Sequence, residues 1–149
     1  MKITTKGRYG VRAVLYLASM YYNRPVSIKT IADEEGVSKE FLEQIFFKLK
    51  KKGIISSLRG PGGGFLLNKD IAELTVLDIL QALGESTDIA PCVEKEGCER
   101  SVRCIASKIW IDLSQLINDQ LGSLTIKKVL DEHGHKYFKS IESNQNFII

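Results

Sequence analysis

Residues 59–64 read Arg59-Gly60-Pro61-Gly62-Gly63-Gly64, four glycines and a proline in six positions. Such a run cannot propagate a helix and has almost no side-chain bulk to bury. On either side lie short apolar runs, Ile54-Ile55-Ser56-Ser57-Leu58 and Phe65-Leu66-Leu67. Two strand-like runs around a glycine-rich connection predict a β-hairpin whose tip carries a single charge, Arg59. The run is not a nucleotide-binding P-loop, because no Lys-Ser/Thr pair and no helix start follow it.

The residues before the hairpin repeat at helical spacing. Val11, Val14, Leu15, Ala18 and Tyr21 predict a helix over 8–22, ended by Asn23-Arg24-Pro25. A second helix is expected over 28–35, with Ile31 and Ala32 inward and Gly36 in the left-handed position after it. Ser38 is a good N-cap for a third helix, from Lys39 to about Lys52 and closed by Gly53. Leu42, Ile45, Phe46 and Leu49 fall at i, i+3, i+4 and i+7 and form its buried face. Helix, short turn and helix is a DNA-binding pattern. With the hairpin added, it is a winged helix-turn-helix.

The outer face of the third helix offers hydrogen-bonding side chains. Gln44 can bond adenine, and a Glu at 40 or 43 can accept from cytosine N4. Arg59 on its slim loop suits a minor groove, where negative potential attracts guanidinium. The candidate DNA-binding residues are Ser38, Lys39, Glu40, Glu43, Gln44 and Lys48 on the helix, with Arg59, Gly60 and Pro61 at the hairpin tip. Charge agrees. Residues 1–69 hold 13 Lys/Arg against 5 Asp/Glu, whereas residues 70–149 hold 8 against 13. The basic half is the one that would meet phosphates; the expected partner is double-stranded DNA.

Thr75-Val-Leu-Asp78 resembles a capping box and predicts a helix to about Leu83, stopped by Gly84. All three cysteines of the chain follow, as Cys92, Cys98 and Cys104, separated by two gaps of five residues. Thiolates are soft ligands suited to iron–sulfur clusters and zinc. The spacing is not Cys-x-x-Cys, so a zinc ribbon or a thioredoxin-like site fits poorly. An odd cysteine count also fits a disulfide framework poorly. Cys92, Cys98 and Cys104 are the candidate metal ligands. His133 and His135 lie far along the chain.

A longer helix is expected from Ile105 to Leu121, ended by Gly122, and a last short one over 125–132. The stripe Ile109, Leu113, Leu116 and Ile117 exceeds what a small domain can cover. It is the candidate dimer interface, with a partner helix as its cover. The expected organisation is a DNA-binding domain over 1–84, a cysteine loop over 85–104, a dimerisation helix and short helix over 105–132, and a tail over 133–149. The fold class is mainly α with a small β-hairpin wing.

The first residues show no apolar signal segment and no stretch is long enough to cross a bilayer. The expectation is a cytoplasmic protein with reduced thiols and no membrane partner. No catalytic constellation is recognisable, so an enzyme is not expected.

Several motifs together resemble the IscR/NsrR-type winged-helix transcription regulators. They are Thr5-Lys6-Gly7-Arg8-Tyr9-Gly10, Leu42-Glu43-Gln44, Ser56-Ser57, the wing Arg59 to Phe65, and the cysteine triplet. The resemblance spans residues 1–121. It implies a homodimer crossing its long helices, with an iron–sulfur cluster near the seam of each protomer, a 2Fe–2S cluster ahead of a 4Fe–4S one. It also implies control of iron–sulfur assembly or sulfur-metabolism genes, with Glu43 and Gln44 in the major groove and Arg59 in the minor groove. Glu43 would help tie DNA choice to the state of the cluster.

Phe41 departs mildly from the tyrosine that relatives often carry. Where IscR-like proteins supply a histidine three residues after the third cysteine, this chain has Ser107. Where NsrR-like proteins use an acidic residue near the N-terminus, it has Arg8. The fourth ligand is open among Glu94, Glu96, Glu99, Ser107 and a small thiol. The cysteine-metabolism repressors of the same fold are similar too, and they end in an apolar tail as this chain does, Phe147-Ile148-Ile149. That similarity implies an alternative, a cluster-free regulator whose tail binds a metabolic enzyme such as cysteine synthase. A further alternative is a small cluster-carrying redox protein.

Overall fold

The computed structural model of the chain describes residues 1–20, 24–94 and 97–134. The first helix, α1 (Thr5–Met20), begins three residues before the expected start. Thr4 starts it: its hydroxyl accepts from the Gly7 N–H at 3.3 Å, and its own N–H and hydroxyl donate to the Glu85 carboxylate. The sequence window around Thr4 holds no clue to a carboxylate 81 residues away.

Next come α2 (Ile28–Glu35) and α3 (Lys39–Lys51). Ser27 and Ser38 cap them, accepting from the N–H groups of Thr30 and Phe41. Gly36 takes φ +66°, and the Val37 N–H closes on the Ala32 carbonyl at 3.0 Å. The three residues Gly36-Val37-Ser38 thus end one helix and begin the next. Leu42, Ile45, Phe46 and Leu49 are all buried, against Ala13, Val14 and Leu17 of α1 and Ile31 of α2. Each such side chain contributes roughly 1.5–3 kcal/mol relative to exposure.

The hairpin is β1 (Ile55–Leu58) paired antiparallel with β2 (Gly64–Leu67), in the register Ile55↔Leu67 to Leu58↔Gly64. Ile54 stays outside β1, because its N–H closes the α3 terminus on the Leu49 carbonyl at 3.0 Å. On its other side β2 meets Val26, with two 2.8 Å bonds exchanged between Val26 and Phe65. The rings of Phe46 and Phe65 pack edge to face, centroids 4.8 Å apart, and fix the wing to α3.

Helix α4 (Val76–Ala82) carries the full capping box, Thr75 with Asp78. Its Leu83 end packs on α1 at Gly10, where a Cβ would stand 2.2 Å from Leu83 Cδ1. A single 3-10 turn covers Pro91–Val93, and α5 runs Ile105–Ser123. Gly122 does not stop α5. The chain is turned instead by tertiary bonds: the Val76 N–H donates to the Leu124 carbonyl at 2.9 Å, and Thr75 bridges Thr125. A sixth helix, α6, covers residues 126–134. Ile126, fully buried, anchors it through its N–H to the Leu74 carbonyl at 2.8 Å.

Candidate nucleic-acid interface and cysteine loop

Glu40, Glu43 and Gln44 lie exposed on the outer face of α3, as helical spacing requires once Leu42, Ile45 and Leu49 are inward. With Lys6, Phe47 and Lys48 they line an open groove of about 540 Å3. Lys39 is exposed and ion-paired with Glu43 at 3.8 Å. At that exposure the pair adds well under 1 kcal/mol, so Glu43 is free to exchange partners. Ser38 is on the same end, its hydroxyl engaged at the helix N-terminus at 3.1 Å from the Phe41 N–H.

Lys48 is placed differently. Its Nζ donates to the Leu83 carbonyl at 3.3 Å, at the C-terminal end of α4, where a cation opposes the helix dipole. This bond ties α3 to the segment that leads into the cysteine loop. Lys50 performs a similar tie to the wing, its Nζ 2.7 Å from Ser57 Oγ.

At the wing tip Arg59, Gly60 and Pro61 are all exposed. Gly60 and Gly62 have φ of +97° and +73°. The turn is closed by the Gly63 N–H on the Gly60 carbonyl at 2.9 Å, and a Cβ on Gly63 would meet the Leu58 carbonyl oxygen at 2.3 Å. The glycines therefore make the loop narrow and leave Arg59 as its projecting charge.

Segment 86–93 runs alongside α5. Thr87 Oγ1 donates to Asn118 Oδ1 at 2.5 Å, and Ser114 Oγ accepts from the Ile89 N–H at 3.3 Å. The side of α5 facing the protein is thus built from small polar groups, with Ser107 and Ser114 its buried residues. Its apolar residues face out. Ile109, Leu113 and Leu116 are 57%, 41% and 64% exposed, and Ile117 is half-buried. Leu116 and Ile117 form with Met1 and Leu121 an apolar groove.

The three cysteines are free thiols, Cys92 half-buried in the 3-10 turn and Cys98 and Cys104 exposed. Cys104 occupies the N-cap of α5, but its side chain makes no capping bond. Local turns hold the loop, among them the Ser101 N–H on the Cys98 carbonyl at 2.9 Å. Among the described residues no three Cys, His, Asp or Glu side chains are gathered closely enough to hold a metal ion. The donor chemistry suits iron and sulfide, since three uncommitted thiols lie on one exposed loop. Glu94 and Glu99 are exposed near them, and Glu96 lies outside the described residues. Ser107 is buried, its hydroxyl within 2.8 Å of the Ser101 carbonyl and 2.7 Å of the Cys104 carbonyl.

Sequence reasoning passed over Lys6, which reaches the α3 groove from α1, and Phe47. The signal for Phe47 was its place outside the i, i+3, i+4, i+7 series of Leu42, Ile45, Phe46 and Leu49 that forms the buried face. His135 and the Phe147-Ile148-Ile149 tail lie outside the described residues. Within the described residues no helix is long and apolar enough to cross a membrane.

The Rrf2 family model, described as an iron-dependent transcriptional regulator, matches residues 3–132. The chain is 41% identical over 130 residues to the HTH-type transcriptional regulator IscR of Xenorhabdus nematophila, covering 87% of this chain and 79% of that protein. Among solved structures it resembles CymR, the global cysteine regulator of B. subtilis, with TM-score 0.74 and 30% identity, covering 89% of this chain and 98% of that one. It also resembles T. potens IscR, with TM-score 0.70 and 30% identity, covering 89% and 88%.

Proposed function

The chain belongs to the Rrf2 family of transcriptional regulators, and from that membership we propose that it is a homodimeric, DNA-binding repressor that senses an iron–sulfur cluster. Its targets would be genes of iron–sulfur assembly or of cysteine and sulfur metabolism. The observation that carries the reading is a juxtaposition: three free thiols on one exposed loop, adjoining the uncovered apolar stripe of α5, in a winged-helix chain.

The winged domain would read DNA through α3 and the wing. Gln44 offers an adenine-compatible amide, Glu43 a cytosine-compatible carboxylate and Arg59 a minor-groove cation. Two-fold pairing across Ile109, Leu113, Leu116 and Ile117 would present two such readers to paired half-sites.

Cys92, Cys98 and Cys104 would hold the cluster. When bound, it supplies iron–thiolate bonds whose integrity depends on iron supply and oxidants. Cys104 begins α5, so fixing its thiol fixes the start of the helix that carries the apolar stripe. The N-terminal end of that helix also favours an anionic ligand set. Cys92 lies on the segment bonded to α5 through Thr87 and Ile89, and upstream of it Leu83 accepts the Lys48 bond from α3. The chain's own bonds thus link the thiol loop to the reading helix. Ser107 is committed to backbone carbonyls and is not the fourth ligand in this reading; an exposed carboxylate such as Glu94 or Glu99, or a small thiol, is.

Anaerobic purification with iron and sulfide analysis, followed by binding to operator DNA, tests the proposal. A visible charge-transfer spectrum lost in each single Cys→Ala variant is expected. A colourless protein with full DNA binding would overturn the cluster and leave the DNA reading standing.

A further inference from the structure

Phe47 is 69% exposed, whereas its neighbour Phe46 is 1% exposed. The pair sits on α3, where one residue step turns the side chain by about 100°. Core packing claims Phe46, and Phe47 is left on the face of Glu40, Glu43 and Gln44, at i+7, i+4 and i+3 from them. It lines the same groove as those side chains, together with Lys6 and Lys48.

An outward phenylalanine forgoes the favourable burial that ring carries elsewhere. It has no donor or acceptor for a base edge or a phosphate. In a major groove only one group is apolar, the C5 methyl of thymine. The helical rise places Phe47 about 4.5 Å along the axis from Gln44, a little more than one base step of about 3.4 Å.

We propose that Phe47 is a specificity-determining residue, reading a thymine methyl about one base step from the pair read by Gln44. The inference rests on the DNA-reading function of α3. It also gives the uncovered ring an occupant that the rest of the interface already faces.

The test selects duplexes from a random pool with the full-length wild-type protein, then replaces each thymine of the selected site singly by deoxyuracil, which lacks only that methyl. At one thymine per half-site the wild type should weaken about fourfold, the worth of one buried methyl-sized group. Phe47→Ala should bind the thymine and uracil duplexes equally there and keep the wild-type response elsewhere. Phe47→Leu, which retains an apolar contact, should respond partially. Equal uracil sensitivity in wild type and Phe47→Ala overturns the inference while leaving DNA reading intact. Selection of no sequence by the wild type overturns both. A Phe47→Ala protein with an unchanged site but an altered sedimentation coefficient assigns the ring to a protein contact and also overturns it.

Discussion

The Ser107 hydroxyl donates to the carbonyl of Cys104, 2.7 Å away, from a side chain that is 4% exposed. The Ser101 carbonyl is nearly as close, at 2.8 Å, so the one hydroxyl hydrogen is shared between two acceptors. The hydroxyl thereby fastens the last turn of the cysteine loop to α5, and it leaves the Cys104 thiol uncommitted.

Replacement of Ser107 by alanine should leave two carbonyls without this donor and cost about 1–2 kcal/mol of stability. Iron and sulfide content should survive, in contrast to Cys104→Ala. Thermal melts and anaerobic iron analysis of the two variants decide it. Loss of the cluster in Ser107→Ala as complete as in Cys104→Ala would make the serine a ligand.

Leu113→Glu should convert the dimer into monomers and abolish binding to paired half-sites. A carboxylate in an apolar seam is strongly penalised, yet on a residue 41% exposed in the protomer it should leave the protomer folded. Sedimentation velocity with circular dichroism checks both halves. A wild-type protein that is monomeric at micromolar concentration refutes the seam.

Arg59→Ala and Gln44→Ala should fail in different ways. Loss of the wing cation should weaken binding to all sequences and reduce the salt slope by about one. Loss of the Gln44 amide should cost about 1–3 kcal/mol at a single base pair and relax choice there. Titrations at several salt concentrations separate them, and unchanged slopes and site preference in both would remove α3 and the wing from the interface.

Lys48→Met tests whether that ammonium serves DNA or the fold. Its bond to the Leu83 carbonyl predicts a loss of about 0.5–1.5 kcal/mol in stability. The salt slope of DNA binding should stay within experimental error of wild type. A slope reduced as far as in Arg59→Ala would mean that Lys48 leaves Leu83 to neutralise phosphate.

Gly64→Ala should detach the wing. The residue has φ +154°, and a Cβ there would lie 2.4 Å from the Val26 carbonyl oxygen. The atoms it would meet are all backbone, the Val26 carbonyl group and the Ser27 nitrogen, so relief requires β2 to leave Val26, with a cost on the order of 1–3 kcal/mol. Faster amide exchange at Phe65 and weaker DNA binding are expected; unaltered exchange would show that the strand absorbs the methyl.

The sequence by itself determined the reading unit. Serine caps at 27 and 38, the left-handed Gly36 and the buried set of α3 are short-range devices, each resolved within a few residues of chain. The same holds for the capping box at Thr75, where Asp78 serves as well as a longer acid, and for the glycine-rich hairpin. The exposed stripe of α5 was legible too, because periodicity separates apolar from polar faces wherever the helix lies. Tertiary structure decided whatever depends on a distant neighbour. Thr4 starts α1 through Glu85, Gly64 is required by Val26, and Lys48 is drawn from the outer row of α3 to Leu83. Gly122 continues α5 because the turn is made by bonds to Val76 and Thr75. Ser107 became a fastening when α5 placed it under the cysteine loop. Local propensity is set by a few adjacent side chains, whereas the partner of a polar side chain is set by packing, and no spacing along the chain encodes that directly.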